Sequence, residues 1–159
     1  MLGPVARWGL IATAIVVLLP VLTLTILSLN ARRPSSLGLA SGKLRPCPDT
    51  PNCVCSCDDK DLHVIAPLIW DGSAQEGLQR LARVMVTLPN ARFQAINHDN
   101  YRHVEFTSAW FRFVDDVEFL VDSAAGVIHL RSASRVGRSD LGVNRKRVEQ
   151  IRKLFEAGP

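Results

Sequence analysis

FRFVDDVEFLVDSAAGVIHLRSASRVGRSDLGVNRKR, residues 111–147, decides how this chain folds. It opens as an apolar strand interrupted by two adjacent aspartates, turns at a glycine and returns as a strand that becomes basic. Phe111, Phe113, Val117, Phe119 and Val121 share one parity, so they line one face of a strand. Asp115 falls on that same face, while Asp116, Glu118 and Asp122 lie opposite with Arg112. Asp122-Ser-Ala-Ala-Gly126 reads as a hairpin turn in which Gly126 takes positive φ. The return strand, Val127 to Ala133, places Ile128 and Leu130 on one face and His129 and Arg131 on the other. Residues 113–122 carry four acids and no base; residues 131–153 carry eight bases and two acids. A hairpin brings such segments together, and an aspartate on an apolar face needs a partner. Asp115 and Asp116 are therefore expected to form structural ion pairs, with Arg131 and Arg135 as the guanidinium candidates.

Outward from this hairpin, charge is unevenly spread over the 159 residues. Residues 1–43 carry four bases and no acid, residues 44–130 seven bases and twelve acids, and residues 131–159 eight bases and three acids. The basic C-terminal run has an acidic counterpart in its own domain, which argues against nucleic acid as a partner. Trp8 to Leu29 is 22 residues without a charge, roughly 33 Å of helix and enough to cross a bilayer. It exceeds the apolar core of a cleaved signal peptide. The reading is a transmembrane anchor at residues 1–30, touching lipid through 8–29, a juxtamembrane linker at 31–43 and a soluble domain at 44–159. Arg32 and Arg33 suit lipid phosphates, or an ordinary stop-transfer flank. Flanking charge slightly favours a cytoplasmic domain. Cysteine use favours the periplasmic or exported side, which is the expectation adopted.

All four cysteines fall between Cys47 and Cys57, among three prolines that disfavour a regular helix or central strand. Three readings compete: a Cys47–Cys53 disulfide with Cys55 and Cys57 as extras, a metal site drawn from Cys53, Cys55, Cys57 and His63, and free or redox-active thiols. Zinc sites favour C-x2-C pairs, and this spacing does not match them. His63 to Leu68 suggests an edge segment. Ser73-Ala-Gln-Glu76 is a capping box, followed by a stripe of Leu78, Leu81, Ala82, Met85 and Leu88, with Pro89 and Asn90 stopping the helix. Ala91–Ile96 and Arg102–Ser108 read as strands, with His98 and His103 as exposed strand-edge histidines. The last helix starts near Asp140 or Asn144, buries Val148, Ile151, Leu154 and Phe155, and ends at Gly158 and Pro159. The expected fold is α+β: a four-stranded, mostly antiparallel sheet with two helices packed on one face, preceded by one transmembrane helix.

PCPDTPNC, FVDDVEF and RSASRVG-x-SDLGVNRKR resemble the bacterial family known as domain of unknown function 1499, over about residues 44–155. The resemblance implies a signal or membrane segment before the domain, and no established activity, cofactor or substrate. Positions matching its motifs are Cys47, Cys53, Asp115, Asp116, Arg131, Ser132, Ser134, Arg135, Ser139, Asp140, Asn144 and Arg145. Cys55 and Cys57 stand where the family more often has serine or another small residue. Cys47–Cys53 is thus the family-like pair, and no bound metal is expected. Arg138 stands where an aromatic is common.

Three functions follow from these residues. One is a binding or interaction module at the membrane surface. Arg131, Ser132, Ser134, Arg135, Ser139, Asp140, Asn144 and Arg145 would meet an unknown protein or a small anionic ligand beside a helix N-terminus. The second is a thiol-based redox or metal-handling module built on Cys47–Cys57. The third is a hydrolase using Asp115 and Asp116 with Arg131 and Arg135. Adjacent strand aspartates point to opposite faces, and no G-x-S-x-G, H-E-x-x-H or phosphate-binding glycine loop accompanies them. No catalytic residue is assigned and no cofactor is expected.

Overall fold

A computed structural model of the chain describes residues 3–94 and 98–158. Helix α1, Pro4–Leu29, contains a stretch at Arg7–Leu29 long and apolar enough to cross a membrane; its large apolar side chains are exposed, and Ser28 near its end is buried. Thr13, Thr23 and Thr25 return their hydroxyl protons to carbonyls one turn back, so their polar groups are satisfied within the helix. Strands β1 (Leu39–Ala40) and β2 (Lys43–Leu44) then form a two-stranded hairpin.

The main sheet has six strands, all paired antiparallel: β3 (Cys53–Cys55), β4 (Leu68–Ile69), β5 (Ala91–Phe93), β6 (Tyr101–Thr107), β7 (Val114–Asp122) and β8 (Val127–Ser134). The order is β3-β8-β7-β6-β5, with β4 also on β8. The expected four strands are the β5–β8 meander. The correction is two short strands added along the outer edge of β8: β3 pairs with residues 131–133 and β4 with 127–128. Prolines confine this segment to an edge but do not keep it out of the sheet, because an edge strand uses the hydrogen-bonding groups of one side only. The strand expected over Ala91–Ile96 ends at Phe93; residues 95 and 96 of that expectation, and Pro159, lie outside the described residues.

The β7–β8 hairpin turns at residues 123–126, with Gly126 at φ 66° and the Asp122 carboxylate accepting from the Ala125 N–H. At its other end the strand starts three residues later than the aromatic alternation suggests. Phe111 lies in a turn and Arg112 sits at φ 59°, so the parity of Phe111 and Phe113 is local and not that of a strand.

Helix α2, Ala74–Thr87, begins at Ser73, whose hydroxyl accepts from the Glu76 N–H while the Glu76 carboxylate accepts from the Ser73 N–H. Helix α3 runs from Val143 to Ala157. One apolar cluster contains Leu78, Leu81, Val84 and Met85 of α2, Val148, Ile151 and Phe155 of α3, and Val104, Phe106, Val117, Phe119, Val121, Ile128 and Leu130 of the sheet. A second, smaller cluster gathers Leu44, Cys47, Cys53, Cys55, Tyr101, Leu120 and Ala133, with Leu39 against it. Residues of opposite parity on β6, β7 and β8 thus enter different clusters, and the sheet buries both faces. Residues 31–43, expected as a linker, are not free of the domain: Leu39 packs on the second cluster and the Gly38 N–H donates to Glu118.

Candidate functional site

The β6–β7–β8 register decides which charges meet. Glu105 pairs with Asp116, His103 with Glu118, and Glu118 with Arg131. These residues have the parity opposite to Val104, Phe106, Val117, Phe119 and Leu130 of the first apolar cluster and create a polar layer inside the protein. His103, Asp116, Glu118 and Arg131 are each no more than 3% exposed. Isolated charges at that depth would cost several kcal/mol each, roughly, so the layer is stable only if its members satisfy one another.

They do so in two connected groups. In the first, Arg135 donates from Nε and Nη2 to the two oxygens of Asp116 at 2.8 and 2.7 Å, and from Nη2 to Glu105. His103 Nε2 lies 2.7 Å from Asp116 Oδ1, and its Nδ1 lies 3.0 Å from a guanidinium nitrogen of Arg33. Arginine has no acceptor, so Nδ1 must accept and the proton sits on Nε2, which donates to Asp116. In the second, Glu118 Oε1 accepts from the Tyr101 hydroxyl at 2.6 Å and the Gly38 N–H at 2.7 Å, while Oε2 accepts from Arg131 at 2.9 Å. Burial pushes the Asp116 carboxyl up, but hydrogen bonds from Arg135 and His103, with the Arg135 charge, outweigh it and hold the group below the usual carboxylate range. Burial, with the Glu118 carboxylate second, raises the Tyr101 hydroxyl.

The other face carries its own network. Arg147 of α3 reaches Asp115 at 2.5 Å and Asn144 Oδ1 at 2.6 Å, with its guanidinium over the Phe106 ring. The Ser132 hydroxyl donates to Asn144 Oδ1, while Asn144 Nδ2 donates to Ser134 Oγ and the Asn52 carbonyl. Asn144, 1% exposed, therefore joins α3 to β8 and to the residue preceding β3.

Several expectations need correction. Asp115 pairs with Arg147, not Arg131 or Arg135, because β7 turns it toward α3 while Arg131 faces Glu118. Asp116 does meet Arg135. His103 is fully buried, not an exposed edge histidine; His98 is exposed. At the α3 N-terminus, the expected anion site, a side chain already takes two of the N–H groups. Gly142 is its N-cap, and the Asp140 carboxylate already accepts from the Gly142 and Asn144 N–H groups. Arg131, Ser132, Ser134, Arg135 and Asn144 are engaged internally, and Arg145 donates to the Val64 and Leu62 carbonyls. Ser139 is exposed at the rim of a cavity of about 320 Å3 whose lining includes Ser108, Phe113, Asp115, Asp140 and Val143, together with Leu24 and Leu27 of α1.

Sequence reading missed Arg33, Tyr101, His103, Glu105, Glu118 and Arg147 as members of these networks. The signal for three of them was present: Tyr101, His103 and Glu105 share a parity opposite to Val104 and Phe106.

His103, Glu105 and Asp116 offer ligand atoms all within 4.8 Å of one another. The Arg135 guanidinium bonds both carboxylates and stands where a cation would, so this cluster already holds its positive charge. The cysteines assemble no thiolate cluster. Cys47 and Cys53 form a disulfide, Cys55 is buried, Cys57 is exposed, and His63 Nδ1 contacts the Cys53 carbonyl. Burial pushes the Cys55 thiol up to about 12. The expected result of thiol titration with a disulfide reagent at neutral pH is one fast-reacting group, Cys57, with Cys55 appearing only on unfolding. Two fast thiols in the folded chain would contradict this.

Asp115 and Asp116 lie on opposite faces in separate networks, so they form no carboxylate dyad. A family model described as "Protein of unknown function (DUF1499)" matches residues 43–155. No curated protein and no solved structure matches the chain.

Proposed function

The chain belongs to the DUF1499 family, and we propose that it is a single-pass membrane protein whose α+β domain is a binding or interaction module held at the membrane surface. In this reading α1 is the anchor, and α2 and α3 both lie on one face of the sheet, as their shared apolar cluster supports. The observation that carries the reading is the cavity between the end of α1 and the loop following β8. Its wall combines Ser139 and Asp140 with Phe113, Val143, Leu24 and Leu27, a mixed lining suited to recognition. The buried charges contribute rigidity behind that wall, since each is committed to an internal partner. The Cys47–Cys53 disulfide supports placement of the domain on the exported side, where disulfides persist. The redox and hydrolase alternatives gain nothing from the thiol arrangement or from the separated aspartates.

A photo-crosslinking residue at Ser139 of the full chain in its own membrane tests this reading, with the same residue at exposed Asp99 as the control. The expected result is a discrete adduct, protein or lipid, at Ser139 and not at Asp99. Equal labelling, or none at either position, would overturn the module.

A further inference from the structure

The same end of the sheet carries an uncommon surface. Because β6, β7 and β8 are antiparallel, the β6–β7 turn at 108–113 and the β8–α3 loop at 135–142 lie together. The turns at 98–100 and 123–126 lie at the opposite end, about 23 Å away along a seven-residue strand. Trp110 is 93% exposed and Leu141 87%, and Val143 is also exposed. Arg112 and Arg138 are exposed and have no ion-pair partner among the described residues. Leu141 and Arg112 sit at φ 54° and 59°, a conformation that costs a non-glycine residue roughly 1 kcal/mol. A large apolar residue in such a strained loop, facing water, is poorly explained by the stability of the domain alone.

Two further facts identify what covers this surface. Trp with Arg is the residue pairing of the membrane interface: an amphipathic ring at headgroup level and cations beside phosphates. The end of α1 also borders these loops, with Leu24 and Leu27 lining one cavity with Ser108, Phe113, Gly137 and Ser139. Leu24 precedes the last residue of the span by five positions, roughly 7.5 Å along a helix axis. Loops level with Leu24 and Leu27 therefore reach below the end of the span. That is the depth, about 5–10 Å, to which interfacial segments settle.

We propose that Trp110, Phe111, Arg112, Arg138, Leu141 and Val143 form a second, peripheral membrane contact. They would seat the domain end-on in the anionic headgroup layer of the bilayer that α1 crosses. This rests on α1 being a membrane anchor and names the partner of the surface beside it as lipid. Leu141 and Val143 enter the acyl boundary, Trp110 sits at the glycerol level, and the two arginines meet phosphates. The domain is then oriented by two attachments, and the Asp99 and Asp122 end points into the aqueous phase.

The test uses the full chain in nanodiscs of phosphatidylcholine and phosphatidylglycerol, with a nitroxide at Leu141→Cys or, as control, at Asp99→Cys, both in a Cys57→Ser background. The expected result is that the label at 141 is accessible to oxygen and on the order of fivefold less accessible to a water-soluble nickel chelate than the label at 99. Adding Arg112→Glu and Arg138→Glu is expected to remove most of that protection. Equal nickel accessibility at 141 and 99 would overturn the inference. Should Leu141→Cys fail to fold, Trp110 serves instead: brominated lipid is expected to quench wild-type emission more than that of Trp110→Phe, and equal quenching would overturn it. An aqueous label at 141 combined with a protein adduct at Ser139 would defeat lipid docking while leaving the module standing; an aqueous label with no adduct would remove both.

Discussion

Glu118→Ala is expected to destabilise the domain by about 3–5 kcal/mol. Glu118 is fully buried and accepts three hydrogen bonds, from Tyr101, Gly38 and Arg131. Removing it leaves the Arg131 guanidinium buried without the one side-chain hydrogen bond it makes among the described residues. It also orphans a tyrosine hydroxyl and the N–H that fixes the β1–β2 segment to the sheet. The loss corresponds to a fall in melting temperature of roughly 10–20 °C for a domain of this size. Glu118→Gln keeps one acceptor oxygen and is expected to lose about half as much. The double change Glu118→Met with Arg131→Met removes both charges and is expected to recover much of the stability, because the desolvation cost disappears with the pair. Thermal unfolding of the three variants reads this directly. A Glu118→Ala loss below about 1 kcal/mol would mean that Arg131 finds water or another partner.

Arg135→Ala is expected to cost a similar amount, about 3–5 kcal/mol at neutral pH, with a distinctive pH dependence. Arg135 separates two carboxylates, Asp116 and Glu105, and is the leading cause that lowers the Asp116 carboxyl against burial. In the wild type the Asp116 group ionises below its unfolded value of about 3.9. Its stabilising contribution is therefore complete above that pH and is lost as pH falls through the folded value. In Arg135→Ala the sign reverses. With desolvation and Glu105 opposed only by the His103 hydrogen bond, the Asp116 carboxyl is expected to rise above its unfolded value, so that protonation favours the folded state. The gap between variant and wild type should narrow as pH falls from 7 toward 4, as denaturant midpoints across that range would record. A gap that widens instead would show that Arg135 does not govern the ionisation of Asp116.

Much of the fold is legible in the sequence wherever a periodic signal coincides with a stop. Ser73 and Glu76 mark the start of α2 by capping chemistry, and Val148, Ile151 and Phe155 mark the buried stripe of α3. The Asp122–Gly126 turn fixes the β7–β8 hairpin. Strands β3 and β4 are two and three residues long and proline-flanked, too short for any alternation to emerge. They are held by the edge of β8 more than by their own composition. Partner choice is less legible still. That Asp116 finds Arg135, while Asp115 finds Arg147 from a helix thirty residues on, depends on register and on the side toward which each Cβ points. An isolated histidine such as His103 carries no signal of depth in the sequence. The parity of Tyr101, His103 and Glu105 becomes informative only once β7 supplies Asp116 and Glu118 beside it. Arg33 reads as a membrane flank because nothing local in the sequence shows that the chain doubles back onto the sheet.

The buried layer is the central claim: opposite charges from β6, β7 and the end of β8 neutralise one another and hold the domain rigid. A double-mutant cycle between Asp116→Asn and Arg135→Gln, read by denaturant unfolding at pH 7, tests it most directly. The predicted coupling is about 2–3 kcal/mol, within the range found for contacting residues. Strictly additive losses would mean that the two groups do not depend on each other, and would contradict the account.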